Sequence, residues 1–549
     1  MPNHPNVSAA AHGVALLNDP VQNKGTAFSE EERRASGLDG LLPAGVDTIE
    51  TQLERVLGHL AAKPNDLEQY IYLQALCDRD ETLFYATIMS DPARFVPIVY
   101  DPTIADACLT YGHIYRRPRG MYLTKRMRGR LKEVLANWPM WDVRFICVTS
   151  GGRILGLGDI GANGAPIPIG KLQLYTGCAG VPPDCLLPIH LDIGTTNAAL
   201  RADPLYTGLR DEPAPPDEID ALVDEFMEAA NAVFPGVCVH FEDWKGADAI
   251  RLLARYQDKF LVYNDDIQGT ASVTIAGLAT ALQIKGETLA DQRILFAGAG
   301  SAGIGIANMI VAAMVEEGLG EDQARGRITL FDVGGLITSS RKDLDPSQRV
   351  YARDDPPQTD LQAVVEAVKP TAIIGVSTTP GLFTEGVVAA MAKSNERPIV
   401  FALSNPTDKA ECTAEQAYQW SGGRALYAAG VQFPDATVGG KTFHPGQANN
   451  FYIFPAVGLA VYATKPKRID DKMFIAAARG SADQVGQADR DAGMLFPRQN
   501  NILETEIATA TRVAEHIFDR GLATVERPGD LRGWIKGMTY TPAYGAPRS

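Results

Sequence analysis

Two apolar runs tipped with acids, followed by a strand–glycine–helix signature, constrain this chain more than any other stretch. The runs Val237–Phe241 and Phe260–Tyr263 read as short buried strands. Each ends in a pair of carboxylates, Glu242–Asp243 and Asp265–Asp266. In open α/β sheets, ligands gather at the carboxyl ends of strands. Four acids on neighbouring strand ends repel one another unless a hard cation lies among them, and Mg²⁺ or Mn²⁺ prefers such oxygen ligands. A third run, Arg293–Ala297, leads into Gly298-Ala-Gly300-Ser-Ala-Gly303 and then a helical pattern. That order of elements can cradle the pyrophosphate of a dinucleotide. Together they point to metal-assisted redox chemistry on an oxygen-rich small molecule.

The second half of the chain is regular. Ile328–Phe331, Ala372–Val376 and Ile399–Leu403 are near-continuous apolar runs, as in a parallel sheet covered on both faces. Helical patterns at 303–316 and 360–368 lie between them. This predicts a doubly wound dinucleotide domain. Asp332 ends the strand after the glycines and can bind ribose hydroxyls. Ser377–Gly381 and Ser404-Asn-Pro-Thr407 fall at further strand ends. Plain alternatives stand beside these readings: a structural glycine turn, and for Asn405 a turn before proline.

The first half is less regular. Residues 1–20 are small and polar and are expected to fray. From Asp47 to Asp91 the pattern is helical. Tyr100 stands between Pro97 and Pro102, which reads as a stiff, half-buried turn. Val143–Val148 and Pro188–Ile193 read as strands. Between them, the Gly- and Pro-rich stretch 151–170 reads as a long loop bracketed by Arg153 and Lys171. A lysine is usually solvated; one beside a metal can have its pKa lowered and act as a base. Residues 217–228 and 504–518 read as helices, and the last thirty residues as a polar surface tail.

The net charge of −15 argues against a broad nucleic-acid or anionic-membrane surface. Seven cysteines without a C-x-x-C pair suit a reduced setting, so a cytoplasmic location is expected. No apolar span of membrane-crossing length and no signal sequence is read, so no membrane association is expected.

From Asn23 to Thr524 the chain carries NKGTAF, PIVYDPT, YGHIYRRPRG, RILGLGD, GKLQLYT, FEDW, YNDDIQGT, GAGSAGIGIA, FALSNPT and PGQANNFYIFP in order. It resembles the malic enzymes, NAD(P)-dependent oxidative decarboxylases of malate. The resemblance implies an α/β architecture. A mainly helical region spans 1–118, and a malate- and metal-binding domain spans 119–265, with 450–521 packing back on it. A Rossmann-type dinucleotide domain spans 266–449 and a tail 522–549. It implies Lys171 as general base and Tyr100 as general acid, and Glu242, Asp243 and Asp266 as ligands of Mg²⁺ or Mn²⁺. Arg153, Asn405 and Asn450 would hold L-malate. Gly298, Gly300, Gly303 and Asp332 would bind NAD or NADP, with Arg153, Asp266 and Asn405 also contributing. Products would be pyruvate and CO₂, and the assembly a homodimer or homotetramer.

Asp332 and Gln348 favour NAD. Ser150 and Gly152 replace acids common in relatives, and Ala448 replaces a glycine. Arg55 and Arg79 align with arginines that bind fumarate in activated animal relatives, although an ordinary interface or surface pair explains them better. A malolactic-type enzyme releasing lactate and a non-catalytic dinucleotide-binding regulator are the competing readings.

Overall fold

The computed structural model describes residues 11–154 and 156–545. The chain forms two compact units. Unit 1 runs to Trp244 and takes in Gln499–Leu503 and the segment from Met538; unit 2 comprises Lys245–Arg498 and Glu504–Gly537.

Unit 1 opens with helices whose starts are written in the sequence. Thr48, Asn65, Asp80 and Asp91 each accept a backbone N–H from the first turn of the helices Ile49–Ala61, Asp66–Cys77, Glu81–Ser90 and Pro92–Val99. A parallel sheet follows, built from β1 (Met121–Thr124), β2 (Phe145–Thr149), β3 (Leu186–Asp192) and β4 (Cys238–Phe241) in the order β1-β3-β2-β4. The helix Pro166–Ala179 lies against β2 and β3. All fourteen of its residues are buried, and Gly180 closes it in the left-handed conformation.

Unit 2 contains β5 (Val262–Asn264), β6 (Ile294–Ala297), β7 (Ile328–Asp332), β8 (Gly335–Leu336), β9 (Ala372–Gly375), β10 (Ile399–Ala402) and β11 (Leu426–Ala429). A hairpin of β12 (Ala436–Val438) and β13 (Lys441–Phe443) and the short β14 (Gly446–Gln447) complete it. Its main sheet runs β14-β11-β10-β9-β6-β7-β8, parallel except where β8 turns back on β7. From β6 the chain steps outward to β7, then crosses to β9, β10 and β11 on the other side. The order therefore reverses between β6 and β9, where doubly wound folds place their ligand crevice.

Several expectations change. The 151–170 stretch is not a loop throughout. Its last part is the first turn of the Pro166–Ala179 helix, so Lys171 sits in a helix. Prolines in a first helical turn remove no hydrogen bond, which is why 166 and 168 do not break it. Tyr100 is buried rather than half-buried, at 8% exposure, and ends a helix that runs through Pro97.

The Thr270–Lys285 helix, with the Asp265–Gly269 turn before it, is long and apolar enough to cross a membrane by composition, contrary to the sequence reading. It is 72% buried in its most apolar window and packs against Asp471–Asp483 and Ser301–Glu316, as a core helix does. The expected surface tail contains the helix Leu531–Lys536 with Ile535 fully buried. Of the expected frayed start, residues 1–10 lie outside the described residues, and Val14–Leu17 is helical.

Candidate active site

Unit 1 holds five of the expected site residues, Tyr100, Arg153, Lys171, Glu242 and Asp243. The Pro92–Val99 helix ends at Tyr100, and the Asp101–Pro102 bond is cis. Tyr100 lies against the Pro166–Ala179 helix because Gly170 has no side chain. A Cβ there would stand 2.9 Å from Tyr100 Cδ2 and 3.1 Å from the Val99 carbonyl. The next residue, Lys171, places its Nζ 5.3 Å from the centre of the Tyr100 ring. Nζ also pairs with Glu242 Oε1 at 3.0 Å, with both side chains buried.

Glu242 and Asp243 follow β4 directly and are 4% and 5% exposed. The Glu242 N–H and the Trp244 indole N–H both donate to the Val148 carbonyl at 3.0 Å, and Arg153 N–H donates to the Asp243 carbonyl at 3.3 Å. These bonds hold Asp243 at φ +54, a conformation few non-glycine residues adopt. Burial, with Asp243 close by, pushes the Cys108 thiol far up, so it stays protonated.

The strand end β2 leads into Thr149-Ser-Gly-Gly-Arg153. Thr149 and Ser150 hydroxyls accept the Gly151 and Gly152 N–H groups, at 3.0 and 3.3 Å. Gly151 has φ +65, and a Cβ on it would come within 1.9 Å of the Gly161 carbonyl. The Arg153 side chain is exposed and makes no ion pair among the described residues. Asp159 organises the rest of the loop: it accepts from Gly161 N, Thr195 Oγ1, and both the N–H and hydroxyl of Thr196 at 2.6–3.1 Å.

In unit 2 the glycine turn has the shape a dinucleotide needs. Gly298 sits at φ +121, and a Cβ on it would meet the Val376 carbonyl at 2.6 Å. A Cβ on Gly303 would meet the Gly298 carbonyl at 2.2 Å, so this glycine lets the Ser301–Glu316 helix approach β6. Gly300 caps that helix, and a Cβ on it would meet nothing within 4 Å. Open space in front of a long helix N-terminus is where a pyrophosphate fits.

Asp332, expected on the ribose, accepts two bonds from Arg341, at 2.6 and 3.1 Å; Arg341 also binds Asp343. Gln348 donates to the Ala299 carbonyl inside the glycine turn at 3.0 Å. Asn405 lies in the loop after β10, ahead of a cis proline. Glu411 joins that loop to the one after β9. It accepts from Ser377 N and Oγ at 3.0 Å, and from Ser404 N at 3.3 Å and Oγ at 2.5 Å.

Asp266 is half-buried in the turn Asp265–Gly269. Asn450 is brought to this turn. Its amide donates to the Asp265 carbonyl at 3.2 Å, the Asp265 carboxylate at 3.0 Å and the Thr270 hydroxyl at 3.2 Å.

Sequence reasoning passed over His240, Tyr175, Asp159 and Glu411. A signal existed for His240. It is two residues before Glu242 in a strand, hence on the same face, and its Nε2 lies 2.9 Å from Glu242 Oε2.

Comparison with known proteins identifies the family. A family profile described as "Malic enzyme, N-terminal domain" matches residues 77–257, and one described as "Malic enzyme, NAD binding domain" matches 267–518. The chain is 43% identical over 542 residues to "NAD-dependent malic enzyme, mitochondrial" of Ascaris suum, covering 98% of this chain and 84% of that protein. It is 44% identical over 535 residues to "NADP-dependent malic enzyme" of Mus musculus, covering 97% and 94%. Its fold matches the crystal structure of the Entamoeba histolytica malic enzyme with a TM-score of 0.56 at 21% identity, over 92% of this chain and 90% of that one. The Pyrococcus horikoshii malic enzyme gives 0.55 at 22% identity, over 81% and 88%. With both domain profiles matched and such identity along nearly its whole length, the chain belongs to the malic enzyme family.

Proposed function

We propose that the chain catalyses the metal-dependent oxidative decarboxylation of L-malate to pyruvate and CO₂, reducing NAD. The observation that carries this reading is the buried contact of Lys171 with both Tyr100 and Glu242, in a chain that also holds a dinucleotide-shaped glycine turn.

Lys171 removes the proton of the malate C2 hydroxyl as hydride leaves C2. Gly298, Gly300 and Gly303 would hold the dinucleotide, which would supply the hydride acceptor when bound. Glu242 and Asp243 offer buried oxygen ligands of the kind a hard divalent cation takes. Asp266 is carried to this set by the family resemblance alone. When bound, the cation would supply Lewis acidity to the substrate. After CO₂ leaves from C3, Tyr100 donates its phenolic proton to C3 and pyruvate forms. The exposed guanidinium of Arg153 suits a substrate carboxylate, which it can hold bidentately. Asn405 and Asn450 orient the remaining malate oxygens.

We further propose a preference for NAD. Identity to relatives named for either cofactor is equal within a percentage point. At the end of β7, however, Arg341 is shared between Asp332 and Asp343. A ribose 2′-phosphate would meet two acids there and a guanidinium already engaged. The test is absorbance at 340 nm with L-malate, Mn²⁺ and either cofactor. We expect a rise that EDTA abolishes, pyruvate as product, and a higher kcat/KM with NAD. Lactate without net NADH would point to malolactic chemistry instead, and a clear NADP advantage would refute the cofactor preference. Lys171→Ala should lower turnover by roughly 10²–10⁴-fold, the usual worth of a general base, while NADH still binds. Unchanged turnover would remove Lys171 from the reaction.

A further inference from the structure

One helix reaches Glu242 twice, directly through Lys171 and indirectly through Tyr175 and His240. Lys171 and Tyr175 are four residues apart on Pro166–Ala179 and so share a face, about 6 Å apart along its axis. His240 and Glu242 are two residues apart at the end of β4 and share a face at about 6.7 Å. The two repeats match, and the side chains meet in two rungs. On one, Lys171 Nζ reaches Glu242 Oε1 at 3.0 Å. On the other, the Tyr175 hydroxyl meets His240 Nδ1 at 3.1 Å, and His240 Nε2 meets Glu242 Oε2 at 2.9 Å. Tyr175 and His240 are 0% exposed, Lys171 2% and Glu242 4%.

The chemistry of these partners sets the direction of the bonds. A carboxylate can only accept, so Nε2 carries the hydrogen; in the neutral ring Nδ1 then accepts from the Tyr175 O–H. Lys171 thus donates to one oxygen of Glu242 and His240 to the other, and this pair of contacts sets the plane of the carboxylate. A lone lysine is a flexible point charge and cannot set that plane by itself.

We infer that His240, held by Tyr175, is a positioning residue for the divalent cation: it fixes the Glu242 carboxylate so that its remaining lone pairs are presented to the metal. This rests on the reading of Glu242 as a metal ligand. Groups that orient a ligand in this way typically change metal affinity by about 10–100-fold when removed.

The experiment is a Mn²⁺ titration of the full-length protein without malate or dinucleotide, with free Mn²⁺ read by electron paramagnetic resonance. Unfolding midpoint and NADH binding are followed in parallel. His240→Leu should weaken Mn²⁺ binding by about 10–100-fold with NADH binding kept. His240→Gln, whose amide can still donate to the carboxylate, should recover most of the loss. Tyr175→Phe, which keeps the ring and loses the hydroxyl, should weaken binding several-fold, and it decides the matter if His240→Leu does not fold. Wild-type affinity in His240→Leu or in Tyr175→Phe would overturn the inference. So would a loss in His240→Gln as large as in His240→Leu, because His240 would then be a ligand itself. Glu242→Gln separates the two levels. If it binds Mn²⁺ normally, the metal reading falls and this inference with it. If it loses Mn²⁺ while His240→Leu does not, the inference alone falls.

Discussion

Tyr100 and Lys171 meet because one residue between them in space has no side chain. Gly170 lies inside a helix, where alanine would ordinarily be favoured by about 1 kcal/mol, so its presence has a local reason. Gly170→Ala would drive a methyl group into the Tyr100 ring and the Val99 carbonyl. The helix gains propensity while the ring has to move. We therefore expect an unfolding midpoint close to wild type and a kcat lowered by about tenfold or more, since small misplacements of reacting groups are costly. An unchanged kcat would mean that this contact does not place the ring. Neither Tyr100 nor Lys171 could be singled out by composition. Tyrosine between prolines and lysine after a glycine-rich stretch both have ordinary explanations, and only the order of surrounding motifs raised them. His240 escaped for the opposite reason. It interrupts a short apolar run and was absorbed into a strand, although its spacing from Glu242 was visible.

Among the elements, buried parallel strands were the most legible. Each reads as a continuous apolar run, and β6, β7, β9 and β10 lie within a residue or two of where the hydrophobic pattern puts them. The Pro166–Ala179 helix was not legible. Its first turn carries two prolines and it has no polar face, so it shows no helical period. Loop ends were the least legible of all, because their order depends on single side chains. Glu411 shows this: it is fully buried and receives four donors from the loops after β9 and β10. Glu411→Ala would leave those donors without their acceptor, at about 1–3 kcal/mol for each that stays buried. We expect NADH to bind more weakly, by fluorescence titration, and the unfolding midpoint of unit 2 to fall. Retention of both would show that the loops are ordered by other means.

For the whole molecule, each unit has its own parallel sheet, but the chain does not visit them once each. Residues near its end return to unit 1. The Tyr540 N–H donates to the Gly180 carbonyl at 2.6 Å, at the C-terminus of the Pro166–Ala179 helix, and the Tyr544 hydroxyl donates to Asp80 at 2.6 Å. Burial pushes the Asp80 carboxyl up to about 6 from an ordinary 3.8, against the lowering effects of Tyr544, the Leu83 N–H and Arg79. The folded state therefore holds this proton more tightly than the unfolded chain. Its stabilising contribution is complete below about pH 4 and is lost as pH rises through 6. Asp80→Asn should flatten the dependence of the unit 1 unfolding midpoint on pH across that window, as followed by thermal melts at half-unit intervals. An unaltered slope would show that Asp80 titrates as an ordinary carboxylate.

The complete burial of the Pro166–Ala179 helix has a further consequence. Backbone amides in such an element exchange with solvent deuterium only when the surrounding core opens. The amide of Lys171 should thus be among the slowest in unit 1. Heat inactivation and loss of amide protection should then follow one free energy, leaving no temperature at which the unit is folded yet its lysine is out of place.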